Sequence, residues 1–477
     1  MSQTLTKDLS WASAGELTRA LAAGQASAVE LTEAAITRIE ARDGPINAVV
    51  VRDFTEARAQ AKAADTALAR GERRPLLGVP MTVKESHNVA GLPTTWGSPA
   101  FGNWIAPEDS VGVVRLKAAG AVVLGKTNIP PFLADWQSTN PIYGQTRNPW
   151  NLERSPGGSS GGAAAAVASG MVPLEFGSDI GGSVRIPAAF CGIYGHKPSF
   201  NLIPQRGHAP PGVDGEGIEL AVVGPMARTA ADLDLALSVL AGPVGLEAKG
   251  YRLDLPPARH ARLADYRVLV IDHHPAAELD DDIKAALHAL AERLDGEGAA
   301  VAHDSDLLPD LAHQQAVYGQ MLGTAMSRGG PPQPDAISAH DWMSLQDAQL
   351  ALRRQWETLF ESFDVVLAPA FGTVAFPHDL SENAGARTLK INDRDTPYFA
   401  QLAWPGLATL PNLPATVAPI GLAKDGLPIG IQIIGAYLED RTTIGFAGLL
   451  ERAFGGFRRP PRFLSGAVGT WPEGPPL

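Results

Sequence analysis

Two glycine-serine clusters hold the residues of this chain best suited to chemistry. Residues 157–162 read Gly-Gly-Ser-Ser-Gly-Gly, and residues 177–185 read Gly-Ser-Asp-Ile-Gly-Gly-Ser-Val-Arg. Glycines before a serine let successive backbone N–H groups converge on one point, because only glycine adopts the required torsions cheaply. Such a nest holds an oxyanion. Ser183, at the end of the second nest, is placed to attack a carbonyl whose oxygen would sit among the N–H donors of Ile180, Gly181, Gly182 and Ser183. A lone Gly-Gly-Ser is more often a plain turn, but Ser159 and Ser183 repeat the pattern 24 positions apart.

A serine nucleophile needs a base. No histidine lies in either cluster, and the nearest in sequence, His196 and His208, sit in Pro- and Gly-rich surroundings with no evident orienting partner. Lys84 ends the apolar run Val79–Val83, a position at the C-terminal end of a strand, where open parallel sheets place their sites. To act near neutral pH its pKa must fall by roughly three units, a differential cost of about 4 kcal/mol that burial can impose.

The elements that must position these residues follow from capping and periodicity. Ser13-Ala14-Gly15-Glu16 and Ser27-Ala28-Val29-Glu30 are capping boxes and predict two short helices. A third helix is predicted from near Phe54 to a stop at Gly71. Residues 78–84 read as a strand, 111–119 as a helix and 121–124 as a strand, a succession that implies parallel pairing. The Ala-rich run after Gly162 reads as a helix ending at Gly170. Further buried strands are predicted at 266–271, 363–369 and 430–435, with a helix from Asp280 to Leu294. The last 20 or so residues, rich in Pro and Gly, are expected to lie along the surface.

Composition narrows the function. The 477 residues carry 39 Lys+Arg and 51 Asp+Glu, a net charge of −12, which disfavours a nucleic-acid binder. Hydrophobic residues make up 45%, enough for a sizeable core. The single Cys191 excludes an intrachain disulfide and reads as a small buried residue. The N-terminus shows no basic segment followed by an apolar run, and no stretch is long enough to span a bilayer. A soluble, cytoplasmic protein with no membrane partner is expected, folded as one domain over residues 1–477 because no polar linker divides it.

Taken in order, Gly78–Lys84, Gly125-Lys126-Thr127-Asn128, Asn148-Pro149-Trp150, Gly157–Gly162, Asp179–Ala188 and Lys197-Pro198 resemble the amidase signature family, with order and spacing matching over residues 75–200. The resemblance extends more loosely to the N-terminal helices and to Leu410–Gly435. It implies a single large α/β/α domain with a mostly parallel, mixed central sheet: an N-terminal helical segment over 1–70, a signature core over 75–200, and a variable specificity region over 300–400. It also implies a Ser-Ser-Lys triad. Ser183 would be the nucleophile, Ser159 the bridging serine joined to Gly158 by a cis peptide, and Lys84 the base, with an acyl-enzyme formed on Ser183. The helix after Gly162 would add positive potential near the relay and favour a neutral Lys84. The family often has an aspartate after the lysine and a threonine before the later aspartate; Glu85 and Ser178 stand there and preserve the carboxylate and the hydroxyl.

The remaining features are assigned supporting roles. Asp179 and Arg185 are expected to brace the anion loop as an ion pair, and Ser160 to hydrogen-bond local backbone. Trp136 and Tyr143 are candidates to line the substrate pocket. The match of Gly157–Gly161 to a nucleophile elbow fails because no strand precedes it. His273-His274 and Asp280–Asp282 read as a loop and a helix start, so no metal is implied. The expected protein is a cofactor-free hydrolase of a small-molecule carboxylic amide, with esters or carbamates as side substrates and a homodimer through the N-terminal helices implied by resemblance. The alternative is a glutaminase subunit of a tRNA-dependent amidotransferase. In that subunit the segment matching Ser327–Asp395 normally carries a basic, Tyr-rich stretch, which residues 387–392 and 396–399 do not resemble.

Overall fold

The computed structural model describes residues 9–464 apart from 214, 216 and 329–335. The expected surface course of the extreme C-terminus therefore lies largely outside the described residues. Both capping boxes form as the sequence predicts. Ser13 and Ser27 each accept from the backbone N–H three residues on, and open α1 (Ala14–Ala22) and α2 (Ala28–Arg42). Helix α3 follows at Phe54–Ala69, capped by Asp53. No helix among the described residues is long and apolar enough to cross a membrane.

Eleven strands make one sheet: β1 (Val49–Arg52), β2 (Pro80–Lys84), β3 (Val122–Thr127), β4 (Leu174–Asp179), β5 (Tyr194–Lys197), β6 (Val222–Ala227), β7 (Arg267–Val270), β8 (Ala300–Ala302), β9 (Val365–Pro369), β10 (Ala415–Leu422) and β11 (Pro428–Ile434). Their spatial order is β1-β3-β2-β4-β6-β5-β10-β11-β9-β7-β8. The sheet is mixed, as expected, but it is not mostly parallel. Parallel pairing is confined to β3-β2-β4 and β9-β7-β8, and the other six pairings are antiparallel. Helix α4 (Val111–Ala118) carries the chain back between β2 and β3, whereas β10 turns directly into β11 through a tight turn with Gly426 at φ +79°. The N-terminal 70 residues are also not purely helical, since β1 pairs antiparallel with β3 and extends the sheet.

Two features of this sheet position the site. Strands β2 and β4 are parallel neighbours, with Thr82 opposite Glu175 and Val83 opposite Phe176, so their C-terminal ends deliver Lys84 and Ser178-Asp179 to the same edge. Helix α5 (Gly161–Ala168) lies fully buried against that edge; it ends as predicted, with Ser169 as its cap and Gly170 at φ +67°. Its first turn must be glycine because the backbone of a neighbouring loop lies against it. A Cβ on Gly162 would meet Asn128 backbone nitrogen, Asn128 O at 2.8 Å and Ala48 O at 2.9 Å. Gly162→Ala should therefore cost about 1–3 kcal/mol of stability, the usual range for overpacking a closed core. A urea denaturation midpoint identical to that of the unsubstituted protein would contradict this packing.

Candidate active site

Lys84 is fully buried at the end of β2. Its Nζ lies 2.7 Å from Ser159 Oγ, 2.9 Å from Ser178 Oγ and 3.4 Å from Ser178 O. Burial pushes its pKa down to about 7, against the opposing pull of the Asp179 and Glu175 charges. Lys126 and Lys197 are buried too, and burial lowers them to about 8 and about 7. Their amines are spent elsewhere, on Pro93 O and Thr94 Oγ1 and on the carbonyls of Pro198 and Leu413. Of the three, Lys84 is the one whose amine meets a serine of the cavity described below.

Ser159 follows a cis peptide bond from Gly158. Gly158 admits no side chain, since a Cβ there would collide with Asp135 O and approach Gln137 N at 2.8 Å. Ser138 pins the segment from outside, its Oγ donating to Gly157 O at 3.2 Å and accepting from Gly161 N–H at 2.9 Å. Ser160 is structural as expected. Its Oγ donates to Ser178 O at 3.3 Å, and its N–H donates to Ser183 O at 3.1 Å, which joins the two serine loops.

The second loop is organised by charge. Arg185 and Asp179 are both fully buried and form a bidentate ion pair, Nη2 to Oδ1 at 2.8 Å and Nε to Oδ2 at 3.1 Å. Burial alone would raise the Asp179 carboxyl; Arg185 outweighs it and, with Lys197 and the Val184 N–H, holds it at about 2. The same carboxylate accepts from the N–H groups of Gly182 at 2.9 Å and Val184 at 3.0 Å. This changes the expected donor set, because Gly182 N–H is committed to Asp179 and leaves Ile180, Gly181 and Ser183 as the available members of the nest. Arg185 also donates to Pro405 O at 2.9 Å, Gln432 Oε1 at 2.8 Å and Thr409 Oγ1 at 2.7 Å, so the loop is anchored to the C-terminal third of the chain.

A cavity of about 600 Å³ opens beside these groups, with Ser159, Ser178, Asp179, Ile180 and Ser183 in its lining. Trp136 and Tyr143 are not among its described lining residues, which corrects the assignment made from sequence. The Trp136 indole N–H donates to Gly181 O at 2.9 Å, so this residue props the Ser183 loop from behind; the Tyr143 hydroxyl turns away to Glu85 Oε1 at 3.3 Å. Sequence reasoning missed the residues that do form the walls, Trp96, Phe101, Phe132 and Leu133 among them. It also missed Ser178 as a partner of Lys84. His196 has orienting partners after all: it lies in β5, bonded to Thr416 Oγ1 at 2.9 Å and Asp440 Oδ1 at 3.0 Å, and belongs to the core. His208 lines the cavity with its Nε2 2.9 Å from Ser86 Oγ.

The family described as Amidase matches residues 30–330 and 319–444. The chain belongs to the amidase signature family. It is 36% identical to one of the subunits of glutamyl-tRNA(Gln) amidotransferase from Roseiflexus castenholzii, over 92% of this chain and 95% of that protein. It is 34% identical to the putative amidase AmiB2 of Mycobacterium tuberculosis, over 94% and 97%. Among solved structures, 6-aminohexanoate cyclic dimer hydrolase complexed with substrate superposes with a TM-score of 0.80 at 28% identity, covering 95% of this chain and 99% of that one.

The ion pair generates a stability prediction. Asp179→Asn removes the countercharge of a guanidinium that has no access to water, so the variant should lose about 3–5 kcal/mol. Thermal unfolding followed by circular dichroism measures it, and a melting temperature within a degree of the unsubstituted protein would refute the role given to this pair.

Proposed function

We propose that this amidase-family protein cleaves a carboxylic amide through an acyl-enzyme on Ser183, with Ser159 and Lys84 relaying the proton. The observation that carries the reading is the contact of a buried amine, lowered to about 7, with Ser159 Oγ at 2.7 Å. A neutral amine has two N–H donors and one lone pair, so it can donate to the oxygens of Ser178 and still accept the Ser159 hydroxyl proton. Ser159 then takes the proton of Ser183 as that oxygen attacks the carbonyl. The oxyanion is received by the N–H groups of Ile180, Gly181 and Ser183. Reversal of the relay protonates the departing nitrogen, which an amide requires because an amine anion is a very poor leaving group. Water then attacks the ester on Ser183 by the same relay and releases the acid. Ester or carbamate substrates would pass through the same tetrahedral geometry.

A second reading, the glutaminase subunit of a tRNA-dependent amidotransferase, is favoured by the 36% identity to a protein of such a complex. Against it stands the segment around residue 387. The Arg387 guanidinium is nearly buried and bonded to Asp135 at 2.6 Å, and the hairpin Thr388–Ile391 with Arg394–Pro397 adds no tyrosine. Stable co-purification with partner subunits, together with glutamine hydrolysis that those subunits stimulate, would decide for the second reading.

Two results are expected of a stand-alone amidase. Because the active amine is the deprotonated one, kcat/KM should fall about tenfold per pH unit below the Lys84 pKa of about 7 and level off above it. A profile flat across that range excludes Lys84 as the base. A fluorophosphonate should modify Ser183 alone among the serines, as read by peptide mass spectrometry, and Lys84→Ala should slow that modification by at least about 100-fold while the far-ultraviolet spectrum is retained.

A further inference from the structure

We propose that the cavity beside Ser183 selects amides that carry an aromatic ring, seated against a wall formed by Trp96, Phe101, Phe132 and Leu133. The inference rests on Ser183 being the nucleophile, since that fixes where the scissile bond lies. The wall is marked by its backbone. Ten described non-glycine residues have positive φ, and five of them are Asn or Asp, which tolerate it. Of the other five, Trp96 at φ +52°, Phe132 at φ +51° and Leu133 at φ +62° all line this one cavity. Bulky side chains adopt that region only where their surroundings over-determine it, and such positions gather at ligand sites.

The determinants are visible here. Trp96 N–H donates to Glu85 Oε2 at 3.1 Å, and Trp96 O accepts from Phe132 N–H at 2.9 Å, which ties the two wall segments together. Gly97, at φ +66°, packs closely on the backbone of Pro130 and Pro131, each 3.1 Å from where a Cβ would stand. The Phe101 and Phe132 rings meet edge to face at 6.3 Å. Phe132 nevertheless remains 46% exposed. Pro210, Val213 and Ile218 complete the lining with further apolar surface. A ring fixed in place and left wet gains most from a substrate that covers it with another ring, and the volume of about 600 Å³ falls in the range of sites that enclose such molecules. Acetamide or glutamine would leave that surface in water.

The test compares kcat/KM for acetanilide, with its ring on the amine side, 3-phenylpropanamide, with its ring on the acyl side, acetamide and L-glutamine. At least one aromatic amide should exceed both acetamide and glutamine by about 100-fold, and Phe132→Ser should reduce that ratio about tenfold. The aromatic arm that is preferred tells on which side of the scissile bond the wall lies. A purely structural role for Phe132 would depress every substrate alike and leave the ratio unchanged, which overturns the inference, as does acetamide or glutamine turnover equal to that of both aromatic amides. Fluorophosphonate modification of the unsubstituted protein separates the two readings. Modification at Ser183 without aromatic preference sinks this inference alone, whereas modification at another residue sinks the nucleophile assignment.

Discussion

Removal of one amine from water is the constraint around which the site is arranged. Lys84 reaches its position only because β2 and β4 are parallel neighbours that end at the same edge, and it stays dry because α5 and the serine loops close over it. An exposed lysine would hold its proton at neutral pH and offer nothing to a hydroxyl. Burial lowers the proton affinity, while the charges of Asp179 and Glu175 act in the opposite direction and limit the fall. Burial raises the Glu175 carboxyl as well, to about 8, because the same dry surroundings disfavour its charge. The balance leaves an amine whose pKa lies near neutrality.

Asp179 does two things at once. It neutralises Arg185, and through its two oxygens it gathers the N–H groups of Gly182 and Val184, which bends the loop around Ser183. The curvature of this loop thus comes from an internal anion. Trp136 and Tyr318 hold the outer side of that bend by donating to the carbonyls of Gly181 and Ile180 at 2.9 and 2.7 Å. With those carbonyls turned outward toward fixed donors, the loop is held at several points along its length.

Much of this was legible in the chain. The capping boxes at Ser13 and Ser27, the apolar run into Lys84 and the glycines around Ser159 and Ser183 are local signals, set by torsional freedom and hydrogen bonding within a few residues. The Asp179–Arg185 pair was legible for the same reason. What escaped was the product of long-range packing. Whether Gly182 N–H is free depends on the rotamer of Asp179, and whether an aromatic lines a cavity or props a loop depends on which strand lies behind it. Trp136 illustrates this: its neighbours Phe371 and Tyr398 come from far along the sequence. The direction of strand pairing escaped too, since it is decided by crossover geometry beyond β4.

The contacts of Arg185 with Pro405, Thr409 and Gln432 set an order of events during synthesis. A nascent polypeptide that has emerged with both serines and the lysine already has Asp179 beside this guanidinium but still lacks its acceptors on Pro405, Thr409 and Gln432. The Arg185 side chain therefore reaches its full set of partners only once translation has passed Gln432.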